Sequence, residues 1–482
     1  MSETIVIICY LAVLTVLSVY GFHRTLLLCL YWRYRHQSPK PASTFEELPR
    51  VTVQLPMFNE MYVAERLLES VASLDYPQDK LEIQVLDDST DETRDIARAK
   101  VDELKKQGFD AVYIHRENRE GFKAGALEAG LKIAKSDYTL VFDADFAPSG
   151  SIVKDLIHYF TDPQVAMVQA RWGHINRDYS VLTRVQSLML DGHFVIEHIA
   201  RNRSGRFFNF NGTAGIWRRS AIVDSGGWQH DTLTEDMDLS FRAQLRGWKF
   251  VYVPTALAPA ELPCEMNSFK TQQFRWAKGS AQTTRKLLWT VLAADIPWKV
   301  KVECVFHLTA NFAYLFSVLL AVLQLPNMLM RHSMQRPELL LLDLPLVIVT
   351  FISIPLFYVA THHALYGGFM VALRRIPLMM VVAIGLSINN ARAVLEGLFG
   401  KESEFVRTPK HGIERRDASW IGKRYRASSK SLGTLLELGF ALYFIVTIVI
   451  GAVTGCWASI PFLLLFMSGF LYVGSLSIYQ PR

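Results

Sequence analysis

Three acidic clusters and one mixed pentapeptide carry the chemistry legible in this chain. Asp87-Asp88, Asp143-Ala144-Asp145 and Thr234-Glu235-Asp236 each end an apolar run or sit in a loop, and Gln272-Gln273-Phe274-Arg275-Trp276 follows them. An amide, a guanidinium and an indole within five residues suit a platform for a sugar. The indole face stacks on the ring while the polar groups fix its hydroxyls. The alternate carboxylates of Asp143 and Asp145, after the apolar run 138–142, suit a hard divalent cation that shares oxygen ligands with a nucleotide diphosphate. Two acids in a strand-ending turn are often only solvated, so the weight lies on the ordered set rather than on this pair. Sugar transfer with inversion also needs one carboxylate to take the proton from the attacking hydroxyl. Asp236, with Glu235 beside it, is the candidate. Thr234 to Met237 reads equally as a capping box opening the helical run 238–245, and a rigid helix start is a good place to hold a base.

Smaller signals accompany these. Ser89, Thr90 or Asp91 can cap the next helix, which leaves Asp87 free to contact a base or ribose. Gly121-Phe122-Lys123-Ala124-Gly125-Ala126 reads as a glycine-lined turn entering a helix. A helix start with a lysine attracts phosphate, although a surface turn is the commoner meaning of such a string. In Phe207-Phe208-Asn209-Phe210-Asn211-Gly212-Thr213-Ala214-Gly215, core packing accounts for the phenylalanines at least as well as sugar stacking does; Asn211 and Gly212 fit close approach of an acceptor.

A scaffold must bring these groups together, and the periodicity supplies one. Short β-rich runs at 51–55, 83–86, 112–114, 139–142 and 165–169 are mostly separated by helical stretches at 60–73, 92–106, 123–134 and 151–160. Such alternation predicts an α/β fold with a doubly wound, mainly parallel sheet. Ligands of these sheets bind at the carboxyl ends of the strands. Asn59-Glu60, Asp87-Asp88 and Asp143-Ala144-Asp145 all fall on that edge.

The rest of the chain has a different character. Hydrophobic residues make up 50% of the 482 and charged ones 20%, a balance that alone fits a soluble enzyme with a net charge of +6. Yet charges are evenly mixed from about 48 to 301 and sparse in the first 30 residues and in much of the chain after 302. Residues 4–20 are long enough to cross a bilayer, given the ~20 residues a transmembrane helix needs. Glu3 rather than a basic residue precedes this run and no small-x-small site ends it, which argues against a signal peptide. Arg24, Arg33, Arg35, Lys40 and Arg50 follow, so the positive-inside rule places the N-terminus outside and the soluble domain in the cytoplasm.

Further spans are predicted at 306–325, 339–360, 432–453 and 457–475, five in all, with the 331–338 loop outside. The stretch 401–430 then falls inside; its nine Lys/Arg against four acids read as a cytoplasmic loop near lipid headgroups rather than a nucleic-acid site. Residues 377–398, with Asn389, Asn390, Arg392 and Glu396, read as one amphipathic helix lying in the interface, and 284–301 has a similar character. The five cysteines are scattered without C-x-x-C spacing, so neither a zinc site nor a disulfide framework follows. The predicted units are a first membrane helix at 1–32, a catalytic domain at 46–283, and interfacial and transmembrane helices at 284–482 with the basic loop at 400–431.

As an ordered set, several motifs resemble the family 2 processive glycosyltransferases. They are Leu55-Pro56-Met57-Phe58-Asn59-Glu60, Val85-Leu86-Asp87-Asp88-Ser89-Thr90-Asp91, Gly121-Phe122-Lys123-Ala124-Gly125-Ala126-Leu127, Phe142-Asp143-Ala144-Asp145, Gln169-Ala170-Arg171-Trp172, Phe210-Asn211-Gly212-Thr213-Ala214-Gly215, Thr234-Glu235-Asp236 and Gln272-x-x-Arg275-Trp276. The likeness is greatest to the cellulose synthase-like A group, the plant mannan and glucomannan synthases, and to their bacterial relatives. It implies a GT-A fold in which Pro56, Glu60, Asp87, Lys123 and Asp143 hold the nucleotide sugar and Asp145 with Asp143 holds Mg²⁺ or Mn²⁺. It further implies Asp236 as the base with Glu235 beside it, and Gln272, Arg275, Trp276, Phe210, Asn211 and Gly212 around the diphosphate and the acceptor. Phe405-Val406-Arg407-Thr408-Pro409-Lys410 looks like the gating loop of cellulose synthases, matching at Phe405, Thr408 and Lys410 and departing at Arg407 and Pro409.

The activity so implied is a metal-dependent inverting transfer of hexosyl units, from UDP-glucose or GDP-mannose, onto a growing β-linked polysaccharide. The membrane helices at 306–325 and 432–453 would then line its path, with polar residues such as Asn311 facing it. A glycolipid-forming transferase acting on a membrane lipid needs the same catalytic residues; Trp276 favours the sugar acceptor. A transporter with a regulatory domain is disfavoured, since intramembrane charges are few and no internal repeat is visible. The expected partners are a nucleotide sugar, a glycan or lipid acceptor and the bilayer, with no nucleic acid and no required protein. The expected place is a plasma or Golgi-type membrane, the catalytic domain on its cytoplasmic side.

Overall fold

The computed structural model describes residues 2–335, 340–401, 405–426 and 432–480. Seven strands form one sheet: β1 (Val51–Met57), β2 (Leu81–Asp87), β3 (Asp110–His115), β4 (Tyr138–Val141), β5 (Val165–His174), β6 (Gly215–Arg218) and β7 (Lys249–Ala260), in the order β3-β2-β1-β4-β6-β5-β7. β1 to β4 pair in parallel, as the buried apolar runs of a sheet covered on both faces require. β6 lies antiparallel between β4 and β5, and β7 returns parallel to β5. Neither of these two is predicted by periodicity. β6 is only four residues long, and β7 carries Pro254 and Pro259, which weaken a strand signal.

Helix α1 (Ser2–Tyr34) leads into the sheet, which α2 (Ala64–Ala72), α3 (Thr93–Lys106), α4 (Phe122–Ile133) and α5 (Ile152–Ile157) cover. α2 shows why: Ala64, Leu67, Leu68 and Val71 form one buried stripe at helical spacing. Successive strand residues point to opposite faces, so Leu140 and Val141 of β4 enter two different apolar cores. One holds Val53, Leu67, Ile83 and Val101; the other holds Leu127, Phe208, Trp217 and Leu239 and extends to Leu27 and Leu28 of α1. The second core therefore ties the sheet to the membrane helices.

α6 (Val181–Asp191) and α7 (His198–Arg203) follow β5, joined by a π-helical turn at Gly192–Glu197. Then come α8 (Arg219–Asp224), α9 (Glu235–Leu245), α10 (Met266–Ala293), α11 (Trp298–Thr309), α12 (Phe312–Met334), α13 (Leu340–Tyr366), α14 (Phe369–Gly385), α15 (Ser387–Leu398), α16 (Leu432–Val453) and α17 (Ile460–Tyr479). Among the described residues α1, α12, α13, α16 and α17 are long and apolar enough to cross a membrane, the five spans expected. The second starts later than predicted: Phe306 belongs to α11, and a break at Ala310–Asn311 precedes α12.

Residues 377–398 are not the single interfacial helix predicted. They comprise the second half of α14 and all of α15, bent by 45° at Leu386. α14 is held in the bundle by its closest approach to α17, where a Cβ on Gly385 would come within 2.4 Å of the Gly469 carbonyl. α15 instead packs on α10, and Asn389 donates to the Lys270 carbonyl at 3.0 Å. Parts of two predicted loops lie outside the described residues: 336–338 of the outer one, and 402–404 and 427–431 of the basic one, including Glu402, Glu404 and Lys430.

Candidate active site

At the carboxyl edge of β1, β2 and β4 the sheet opens into a cleft of about 180 Å³. β4 stops at Val141 and the buried Phe142 and Ala144 anchor the next turn, so Asp143 and Asp145 emerge on the cleft side. Lys123, in the first turn of α4 behind the left-handed Gly121 (φ 69°), pairs with Asp143 and donates to the Gly212 carbonyl at 2.9 Å. Lys410 donates to Asp145 Oδ2 at 2.5 Å and to the Glu261 carbonyl at 2.6 Å. Glu60 pairs with Arg407 at 3.0 Å, yet burial pushes its carboxyl up to about 8. Burial also raises Glu261, whose Oε1 accepts the His411 N–H at 2.9 Å. Its Oε2 makes no hydrogen bond and keeps only an ion pair to Arg66 at 3.5 Å. Asp143 and Asp145 are thus hard oxygen donors in a place that already stabilises a cation, the Lys410 ammonium. Their chemistry fits a divalent metal, although among the described residues no three His, Cys, Asp or Glu side chains are gathered into a metal-binding group.

Glu235 and Asp236 open α9. The predicted capping box does not form: the Thr234 hydroxyl makes no cap bond and lies 3.2 Å from Thr283 Oγ1. α10 packs so tightly here that a Cβ on Gly279 would stand 2.5 Å from Thr234 Cγ2, which holds that side chain against α10. Asp236 Oδ1 instead accepts the Met237 N–H at 2.8 Å. Burial, reinforced by the charge of Glu235, pushes Asp236 up to about 7, and Glu235 is raised by burial as well. Gly212 (φ 79°) keeps the carboxylate accessible, since a Cβ there would lie 3.1 Å from Asp236 Oδ2 and 3.3 Å from Lys123 Nζ.

Gln272, Arg275 and Trp276 project from α10 into the same cleft, as do Pro56 and Asn211. The Arg275 guanidinium sits 4.4 Å from the centroid of Phe405, which stacks on Phe122 at 5.7 Å. Thr408 is buried, lines the cleft and leaves its hydroxyl without a hydrogen bond. The segment from Phe405 to His411 thus forms one wall. Arg407, where the motif departs from the gating-loop pattern, contributes the contact to Glu60 and stacks on Tyr425 at 3.9 Å.

Two predicted site residues do not line the cleft. Phe210 is fully buried in edge-to-face contact with Trp217 and reaches no cavity, because its backbone position turns it into the core while Asn211 faces out. Asp87, the last residue of β2, is enclosed as well, accepting from the Tyr113 hydroxyl at 2.6 Å and the Ser89 N–H at 2.9 Å. The side chain lining the cleft here is Asp88, braced by Arg116 at 2.6 Å. Trp172, from the Gln169-Ala170-Arg171-Trp172 motif, lines it too, as do Glu261, His174 and Arg119, which were not singled out from the sequence.

Beyond Asp236 a second cavity of about 330 Å³ begins. It shares Trp172, Asn211, Thr234, Asp236, Gln272 and Trp276 with the cleft and reaches Tyr20 and Arg24 of α1, Asn311, and Tyr358 of α13.

Residues 49–279 match the family model described as glycosyltransferase like family 2. The probable glucomannan 4-β-mannosyltransferase 7 of Oryza sativa subsp. japonica is 34% identical over 428 residues, 86% of this chain and 71% of that protein. Glucomannan 4-β-mannosyltransferase 2 of Arabidopsis thaliana is 42% identical over 278 residues, 55% of this chain and 52% of that protein. Among solved structures, a mannosyltransferase from Pyrobaculum calidifontis, in complex with GDP-mannose and Mn²⁺, superposes with a TM-score of 0.52 at 21% identity, covering 82% of this chain and 100% of that one. That likeness concerns the fold.

Proposed function

The chain belongs to glycosyltransferase family 2, and we propose that it is a membrane-embedded, inverting β-mannosyltransferase that extends a β-1,4-linked polysaccharide from GDP-mannose and passes it across the membrane. The observation that carries this reading is the place of Asp236, which lines both a charged cleft and a second cavity that runs to the membrane helices. The donor is assigned to the cleft and the acceptor end of the glycan to the cavity. The relatives named above support mannose over glucose.

In the transfer, the acceptor hydroxyl oxygen bonds to the sugar C1 as the C1–O bond to the diphosphate breaks, and the hydroxyl proton passes to Asp236. Attack from the cavity side inverts an α-linked donor to a β-linked product. Lys123 and Arg275 stabilise charge on the leaving diphosphate, and Trp276 stacks on the acceptor ring. Asp143 and Asp145 would hold a Mg²⁺ or Mn²⁺ ion, which offsets charge on that same diphosphate when bound. Burial near the paired Glu235 keeps Asp236 basic enough to take the proton. The cytoplasmic placement of the catalytic unit, predicted at 46–283 between membrane segments at 1–32 and 284–482, is supported by the basic residues after the first span. Ala313 lines the second cavity and packs against an apolar cluster of Leu14, Leu17, Leu320, Ala321 and Phe444, so on this reading passage of a glycan requires these helices to part.

The test is product analysis. Protein in nanodiscs is incubated with radiolabelled GDP-mannose or UDP-glucose and Mg²⁺ or Mn²⁺. Label from GDP-mannose in material that resists lipid extraction and yields to an endo-β-mannanase supports the reading. A lipid-soluble product carrying a few sugars would replace it with a glycolipid transferase.

A further inference from the structure

Asn211 is held by two histidines. Its Oδ1 lies 2.6 Å from His198 Nε2 and its Nδ2 lies 2.9 Å from His193 Nε2, while its backbone N–H donates to Gln169 Oε1 at 3.1 Å. His193 and Glu197 both belong to the π-helical turn, a local distortion that often marks a functional site. His193 Nδ1 meets Glu197 Oε2 at 3.1 Å. From these contacts we propose that Glu197, acting through His193, fixes which way the Asn211 carboxamide points, and so sets the hydrogen-bond pattern offered to an acceptor sugar. The proposal rests on the reading that the cavity beyond Asp236 takes a glycan.

The directions follow from what each group can do. A carboxylate only accepts, so the neutral His193 carries its proton on Nδ1 and presents a lone pair at Nε2. That lone pair must face the Asn211 NH₂, which turns Oδ1 toward His198. His198 then donates from Nε2, and its Nδ1, buried without a partner, is a lone pair. The remaining N–H and lone pair of the Asn211 amide are left for a sugar hydroxyl. One charge thus orders the whole set.

That charge is well held. Burial works against it, but Arg201 at 3.0 Å, His193, and Arg24 at 3.1 Å together keep the Glu197 carboxyl well below the usual range. Burial and His193 hold His198 well below the usual imidazole range, so it stays neutral.

Without the Glu197 carboxylate, the neutral His193 is free to carry its proton on Nε2, where it meets the amide NH₂, and the carboxamide must rotate by half a turn. The NH₂ then faces His198, whose proton moves to the buried Nδ1. Donor and acceptor are exchanged at the sugar. His193 and Glu197 are therefore positioning residues.

The test reads binding of short β-1,4-linked manno-oligosaccharides to GDP-loaded protein in nanodiscs, by calorimetry, with the GDP Kd measured separately. His193→Leu, which removes the lone pair facing the Asn211 NH₂, should raise the oligosaccharide Kd roughly tenfold, the scale of one mispaired buried hydrogen bond, and leave the GDP Kd unchanged. His193→Gln, whose amide can bridge Asn211 and Glu197, should restore oligosaccharide binding. Glu197→Leu should weaken it as His193→Leu does, and the double variant no further, because the two residues act in series; the His193 pair decides the matter if Glu197→Leu no longer binds GDP. An unaltered oligosaccharide Kd in His193→Leu, or no recovery in His193→Gln, overturns the proposal and leaves the proposed function standing. Absence of oligosaccharide binding in the wild type defeats the acceptor assignment itself, and this inference with it.

Discussion

The two cavities that meet at Asp236 handle charge in opposite ways. In the cleft, Asp143, Asp145 and Glu60 face Lys123, Lys410 and Arg407, and two of those cations come from the 405–411 segment rather than from the sheet. Such pairs can be exchanged for a diphosphate and its counter-ion without leaving a buried charge alone. In the second cavity Glu197 is matched by Arg24 and Arg201, and Glu303 by Arg201 and His23 at 2.9 and 3.1 Å, all within the folded helices. Breaking one of those pairs strands its partner, at a cost of about 3–5 kcal/mol. On the proposed function, one site trades ions and the other presents fixed dipoles to neutral hydroxyls. The proposed base, Asp236, stands on the border, where burial raises it and Lys123 still steadies its charge.

That contrast breaks most visibly at the metal. EDTA, or Asp145→Ala, should reduce transfer to background, with Mn²⁺ or Mg²⁺ restoring only the EDTA-treated wild type. Oligosaccharide binding in the second cavity should survive both treatments, because none of its ion pairs involves Asp145. Turnover that persists in EDTA would remove the cation from the cleft. Asp236→Asn comes next, with transfer expected to fall ~10²–10⁴-fold while GDP affinity stays near wild type. A parallel loss of GDP binding would move Asp236 from the border into the donor site.

Acid should sharpen the same border. The Asp236 carboxyl is raised to about 7, so its basic form is lost as pH falls through that value. The acceptor-dependent rate should drop about tenfold per pH unit below it, and level off above. The slope belongs to the Glu235–Asp236 pair as a unit. A rate that is flat down to about pH 5 would show that burial does not act on the base as this geometry requires.

The cleft was far more legible in the sequence than the cavity, for a physical reason. Parallel strands buried on both faces write themselves as apolar runs, and their ligands follow at the ends, so Glu60, Lys123, Asp143, Asp145 and Asp236 could be placed together from spacing and motif order. Period-2 geometry also explains why two of the predicted residues do not line the cleft while their neighbours do. Asp87 and Phe210 sit a single step from Asp88 and Asn211, and a single step turns a side chain from cavity to core. Glu261 was hidden because it follows a strand interrupted by two prolines. The histidine network carries no marker at all. His193, Glu197, His198 and Arg201 lie on a helical segment whose π turn has no sequence signature, and their partners Arg24 and Glu303 are far away along the chain. Glycine contacts such as Gly385 on Gly469, which decide where α14 lies, are equally invisible without the fold.

The smallest predicted effect tests whether the two cavities are distinct in energy as well as in shape. Trp276 lines both of them from α10, beside Arg275 and within the wall that also holds Asn211 and Asp236. An aromatic face stacked on a ring is worth ~1 kcal/mol beyond its burial, which is about fivefold in affinity. Only the acceptor is offered that face in the proposed arrangement; a water molecule attacking the donor needs no stacking partner. Trp276→Ala should therefore slow transfer to oligosaccharide about fivefold relative to hydrolysis of the donor by water, with both rates measured on the same preparation. If the two fall together, the indole serves the donor, and the division of labour between charged cleft and polar cavity does not run through α10. If only transfer falls, the boundary passes through this residue, and α10 contributes Arg275 to one side and the Trp276 face to the other.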